Sequence, residues 1–254
     1  MRYKIDKMRN TTYILIILIF ASFIRVDAQR WKRTRYELLY GAGTINAFTD
    51  LGGANTAGSH LFWDFDLKGT RPTIYLGARY KIRELVAVRL NILTGWLKAS
   101  DTYTDYDPRQ NRNVIYSGPL FEQSVVGEYS VQKERFGTRY TFTNISRFNI
   151  RYLNVFVYAG IGGVWVPSNP NKVYWTNTPR NYHRYNLVFP MGIGLKYGIN
   201  RRLAFSMDIG HRYTTTDYLE GFSDFHGTGG DSYFLITFNF AYKLRTARSG
   251  LPKF

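Results

Sequence analysis

The residues with catalytic potential are few and scattered. The chain has four histidines, His60, His183, His211 and His226, and no cysteine. No histidine pair has the spacing of metal ligands, and Asp50, Asp64 and Asp66 lack the regular spacing of a calcium loop. A histidine beside a serine would support nucleophilic acyl transfer. Two positions beyond His211, on the same face of an extended chain, stands Tyr213 instead. The pattern predicts a non-enzymatic protein with no metal and no cofactor.

The charged residues are better ordered than the histidines. Arg79, Lys81, Arg89, Lys196, Arg212 and Lys243, with Glu37, Glu122, Glu128 and Asp208, fall on one phase of alternating segments. In DSYFLITFNFAYKLR (231–245), Phe234, Ile236, Phe238, Phe240, Tyr242 and Leu244 occupy every second position. The segments 73–82, 85–97, 187–197 and 203–213 alternate as clearly. Those at 36–48 and 153–166 do so less cleanly, and 120–131 is weakest because Gln123 falls on its apolar face. That makes eight strands. Their apolar phases contain no charged residue. Water does not demand such exclusion, whereas lipid does, since Arg or Lys at a bilayer midplane costs roughly 2–4 kcal/mol. Aromatics at the ends of these phases, such as Tyr36, Tyr80, Trp96, Trp165, Tyr197, Tyr213 and Tyr242, suit interfacial girdles.

The expected fold is therefore all-β, an eight-stranded antiparallel transmembrane β-barrel after a cleaved signal peptide. A soluble sandwich or lipocalin-like barrel also alternates, but would point its charged phase outward. Arg2, Lys4, Lys7 and Arg9 precede an apolar run from Tyr13 to Ile24, and Val26-Asp27-Ala28 offers a cleavage site. The predicted organisation is a signal peptide at 1–28, a barrel at 29–245 and a basic periplasmic tail at 246–254. Cleavage removes five basic and two acidic residues and lowers the net charge from +16 to +13. Short connections at Arg83-Glu84 and Ile199–Arg202 read as periplasmic turns, and the longer alternate ones as extracellular loops. This places the protein in the outer membrane of a Gram-negative bacterium with both termini in the periplasm. The 132–151 connection is periplasmic by count yet about twenty residues long.

An eight-stranded barrel is just wide enough for side chains to fill it. The ten charged residues, with Tyr75, Tyr158, Asn91 and Asn239, should converge there as a paired network rather than line a channel. Gly77, Gly160, Gly162, Gly192, Gly194 and Gly210 leave room for them. The periplasmic ends are strongly basic. Arg30, Lys32, Arg33 and Arg35 precede the first strand; Lys133, Arg135, Arg139, Arg147 and Arg151, against Glu134 alone, lie in the long turn; Arg245, Arg248 and Lys253 follow the last strand. These three pieces hold eleven of the thirteen excess charges. Attraction to anionic lipid headgroups and docking to an acidic periplasmic partner both fit. Nucleic-acid binding does not, because no recognition motif accompanies the charge. A surface recognition barrel working through loops such as DTYTDYD (101–107), or a narrow pore, is the alternative.

Several stretches together resemble a known family. They are TDLGGANTAG (49–58), LGARYKI (76–82), AGIGGVWVPSNP (159–170), FPMGIGLKYGINRR (189–202), HRYTTTDYLEGFS (211–223) and DSYFLITFNFAYKL (231–244). In order and spacing the chain resembles the PorG-type outer-membrane barrels of the type IX secretion system, of OmpA, OmpX or OmpW size. The resemblance implies a small barrel that is not itself a transporter. It implies association with a periplasmic ring built by the lipoprotein PorK and its partner PorN, in contact with outer-membrane lipid. Which residues touch the ring does not follow from it.

Overall fold

The computed structural model describes residues 30–48, 69–100, 115–132, 153–167, 183–200, 202–216, 219, 231–247 and 249–253. The chain forms two units, 1–33 and 34–254. In the first, Arg30–Arg33 make a 3-10 turn, with the Lys32 ammonium 5.9 Å from the ring centre of Trp31.

The second unit is a closed sheet. Its strands are β1 Tyr36–Phe48, β2 Arg71–Lys81, β3 Val86–Ser100, β4 Ile115–Ser130, β5 Leu153–Trp165, β6 Tyr185–Gly198, β7 Leu203–Thr214 and β8 Ser232–Thr246, with a short β9 at Pro252–Lys253. Each pairs antiparallel with the next, and β1 also pairs with β8, from Tyr36↔Leu244 to Phe48↔Ser232. Closure leaves no open edge, so the backbone groups of the wall are satisfied within the sheet, as a bilayer requires. Both ends of the eight-strand wall fall on one side, here the terminal end, with the connections 82–85, 131–152 and 199–202. The other connections lie at the loop end.

Outward residues are apolar. Leu38, Ile74, Leu76, Leu90, Val125, Ile161, Ile193 and Phe238 are among the exposed large side chains. Tyr129 and Tyr242 end this belt at the terminal end, and Trp96, Trp165, Tyr185 and Tyr213 at the loop end. Gln123 does face outward, beside that loop-end girdle, where its Nε2 donates to the Tyr185 hydroxyl at 2.9 Å. The polar residue that blurred the alternation is thus partnered at the membrane boundary.

Two strands outrun the sequence expectation. β3 continues to Ser100 and β4 begins at Ile115 instead of 120, so that their ladder runs from Val86↔Tyr129 to Ser100↔Ile115. The added turns of strand carry Ser117, Pro119 and Lys98 outward. These residues do not read as an apolar phase because they lie past Trp96, beyond the belt. At the C-terminus Thr246 belongs to β8, and β9 pairs with its end through Arg245↔Lys253 and Thr246↔Pro252.

Candidate functional site

The inward phase divides into two storeys. Toward the terminal end lies a charge network to which every strand of the barrel except β5 contributes a charged residue. Glu37 on β1 accepts from Arg79 Nη1 at 2.9 Å and is paired with Lys81 and Lys196, each Nζ at 2.8 Å. Glu128 on β4 bridges two guanidinium groups, Arg79 Nε at 2.7 Å and Arg89 Nε at 2.8 Å. Arg89 reaches onward to Asp208 on β7, whose carboxylate also accepts from Asn239 on β8 at 3.5 Å. Lys243 is buried and stands opposite Glu37 in the β1–β8 register.

A second branch lies nearer the loop end. The Tyr233 hydroxyl donates to Glu122 at 2.8 Å, Ser124 donates to the same carboxylate at 2.9 Å, and Arg212 Nε lies 3.6 Å from it. Asn91 links the branches by accepting from the Tyr75 hydroxyl and donating to Ser124. The Arg89 guanidinium also stands 5.1 Å from the ring centre of Tyr158, in cation–π range. Charges this deep are tolerated only when paired and hydrogen-bonded, and the closed wall holds the partners in reach.

Two glycines make the crowding possible. A Cβ on Gly210 would lie 2.0 Å from the Tyr158 hydroxyl and 2.7 Å from Arg212 Nη1, and one on Gly194 would lie 2.2 Å from Phe156 Cζ. The ten inward charged residues read from the sequence thus all lie inside the barrel, linked mostly across strands.

The storey toward the loop end carries no sequence prediction. Leu93, Leu97, Tyr116, Leu120, Val164, Val188, Tyr233 and Leu235 form an apolar plug, each at most 1% exposed. Leu219, from the 215–231 connection, completes it at 1% exposure. It is held there because its backbone N–H donates to Asp231 Oδ2 at 2.8 Å, while Thr214 Oγ1 donates to the Asp231 carbonyl at 2.6 Å. These apolar residues share the inward phase with the charges, so period-2 counting on the charged residues passes over them.

The basic residues expected to face a partner are only partly described. Lys32 and Arg33 are exposed in the 3-10 turn, and Arg245 is exposed at the end of β8. Arg35 is half-buried, with its Nη1 donating to the Tyr80 hydroxyl at 3.3 Å. The Arg30 side chain and all of Lys133, Arg135, Arg139, Arg147, Arg151 and Arg248 lie outside the described residues, as do the expected signal peptide at 1–28 and the 101–107 stretch.

His60, His226, Asp50, Asp64 and Asp66 lie outside them too. Exposed His183 accepts, through its carbonyl, a hydrogen bond from Asn186 Nδ2 at 2.8 Å. His211 faces outward between the rings of Phe48 and Tyr213, at 6.0 and 4.2 Å between centroids. Ser232, diagonal to it across the β7–β8 register, donates instead to the Phe48 carbonyl at 3.4 Å. No serine–histidine hydrogen bond is formed there. Among the described residues, no three His, Asp or Glu side chains cluster as metal ligands.

In overall structure the chain is similar to three small outer-membrane proteins. Ail of Yersinia pestis is 9% identical over 83% of this chain and 99% of its own, with a TM-score of 0.43. Neisserial surface protein A is 10% identical over 82% and 96%, also at 0.43. Outer membrane protein W of E. coli is 14% identical over 83% and 98%, at 0.41. No curated protein matches the sequence. The family described as a domain of unknown function, DUF6089, matches residues 51–233, most of the barrel from the first loop into β8, and the chain belongs to that family.

Proposed function

We propose that this chain is a non-enzymatic outer-membrane barrel subunit of the type IX secretion machinery, which docks the periplasmic ring of PorK and PorN through a basic terminal end. The observation that carries the reading is the filled interior. With a charge network in one storey and an apolar plug in the other, the described barrel has no lumen to conduct cargo, so its work falls to its ends. At the terminal end the described barrel residues include Arg35, Arg83, Arg202, Arg245 and Lys253 against Glu84. The 132–151 connection adds Lys133, Arg135, Arg139, Arg147 and Arg151 against Glu134 in sequence. A cationic face of this kind steers and orients an acidic partner. The resemblance to PorG-type barrels supports that choice of partner, and the reading puts both termini in the periplasm.

The test is charge reversal in the long turn. Arg135→Glu, Arg139→Glu and Arg147→Glu together should abolish co-purification with PorK and PorN while the barrel stays heat-modifiable on gels. Unchanged co-purification would remove that face as the dock. A wild-type barrel recovered without partners would instead favour surface recognition through its loops.

A further inference from the structure

The C-terminal residues are folded back onto the barrel in a defined way. After β8, the Gly250 N–H donates to the Ala247 carbonyl at 3.0 Å, and Gly250 takes a φ of 87°, a conformation open to glycine without strain. The hairpin is latched to β1: the Tyr36 hydroxyl donates to the Gly250 carbonyl at 3.2 Å, and the Arg35 N–H to Thr246 Oγ1 at 3.2 Å. This fixes Lys253 directly across from Arg245. The β6–β7 turn stands alongside. Asn200 Oδ1 accepts from the backbone N–H groups of Arg202 at 2.8 Å and Leu203 at 2.7 Å, and the Lys243 N–H donates to the Arg202 carbonyl.

Three exposed cations, Arg202, Arg245 and Lys253, therefore line one hollow of about 370 Å³, with Tyr242, Leu244 and the buried Lys243. All three cations are exposed, and none has a carboxylate partner among the described residues. Like charges held opposite one another across two strands repel, so an anion between them would relieve the arrangement. The hollow is also continuous with the lipid belt. Arg202 and Tyr242 line a neighbouring hollow with Leu203, and Tyr242 is the last exposed aromatic of β8 on its outward face.

We infer that Arg202, Arg245 and Lys253 hold the phosphate of an anionic phospholipid whose acyl chains run along the outward face of β7 and β8. Guanidinium groups suit phosphate oxygens, and the adjoining apolar wall calls for a ligand with one charged and one greasy end. An acidic protein segment would need the cations but not the wall. The inference requires only a barrel in a bilayer and stands apart from the ring-docking reading.

The test is native mass spectrometry of the full-length barrel in mild detergent, with phosphatidylglycerol or phosphatidylcholine added. The wild type should retain phosphatidylglycerol in preference to phosphatidylcholine. Arg202→Ala/Arg245→Ala/Lys253→Ala should weaken that retention roughly a hundredfold and remain heat-modifiable. Lys253→Ala alone, outside the barrel wall, should cost roughly fivefold and serves if the triple variant fails to fold. Lys98→Ala/Arg184→Ala at the loop end should change nothing. Equal retention of both lipids, or unchanged retention by the variants, would overturn the assignment. So would displacement of the lipid by glycerol phosphate, which lacks acyl chains. A triple variant that keeps its lipid but loses ring proteins would assign the cations to a protein partner instead.

Discussion

Glu128 shows how single residues hold this barrel together. Its carboxylate bridges Arg79 and Arg89, and those two guanidinium groups lead to Glu37 and Asp208 on opposite sides. Replacing it by glutamine keeps the shape and removes the charge, leaving two cations buried side by side. We expect Glu128→Gln to lower the unfolding free energy by about 3–5 kcal/mol, read from denaturant unfolding in detergent micelles. An outward substitution such as Ile74→Leu should leave the midpoint in place. A midpoint shared by all three proteins would mean that the network does not hold the strands. The same logic explains Gly210: its missing side chain is what allows the Tyr158 hydroxyl and Arg212 to meet against the wall.

At the scale of elements, the β7–β8 connection is more than a loop. Its first residues pair with its last, the Asp231 N–H donating to the Thr216 carbonyl at 2.9 Å, and this closure tips Leu219 into the plug. Leu219→Ala should open a cavity in the apolar plug and cost about 2–5 kcal/mol, measured by the same unfolding assay. A variant as stable as the wild type would show that the loop closes the plug only loosely. Tags meant to leave the barrel intact belong between 222 and 229, clear of Leu219 and Asp231. The β3–β4 hairpin is the other extended element, and its outward Ser117, Pro119 and Lys98 mark where the strands leave the apolar belt.

The described barrel is a closed wall with a filled centre. Reconstituted in planar bilayers it should stay electrically silent, because both storeys of the interior must be displaced before ions pass. Regular stepwise conductance by the wild type would contradict the filled interior and revive the pore. Silence would accord with the proposal that the barrel acts at its ends rather than through its centre.

Alternation alone determined much of this protein. A side-chain period of two, with charge confined to one phase, specifies strands, their faces and a lipid-exposed exterior. It therefore specifies a closed barrel, and it selects the ten inward charged residues by position. Which of them meet was decided only by the tertiary structure, because Glu37 and Lys196, or Arg89 and Asp208, come together through closure and strand register, which are not local properties. The apolar plug was hidden for a related reason. Leu93, Leu97 and Leu120 stand on the phase that holds the charges, and only three-dimensional stacking sorts that phase into two storeys. Leu219 and the folded-back Lys253 lie in segments without periodicity, so their places depend on hydrogen bonds to distant strands that no local pattern encodes.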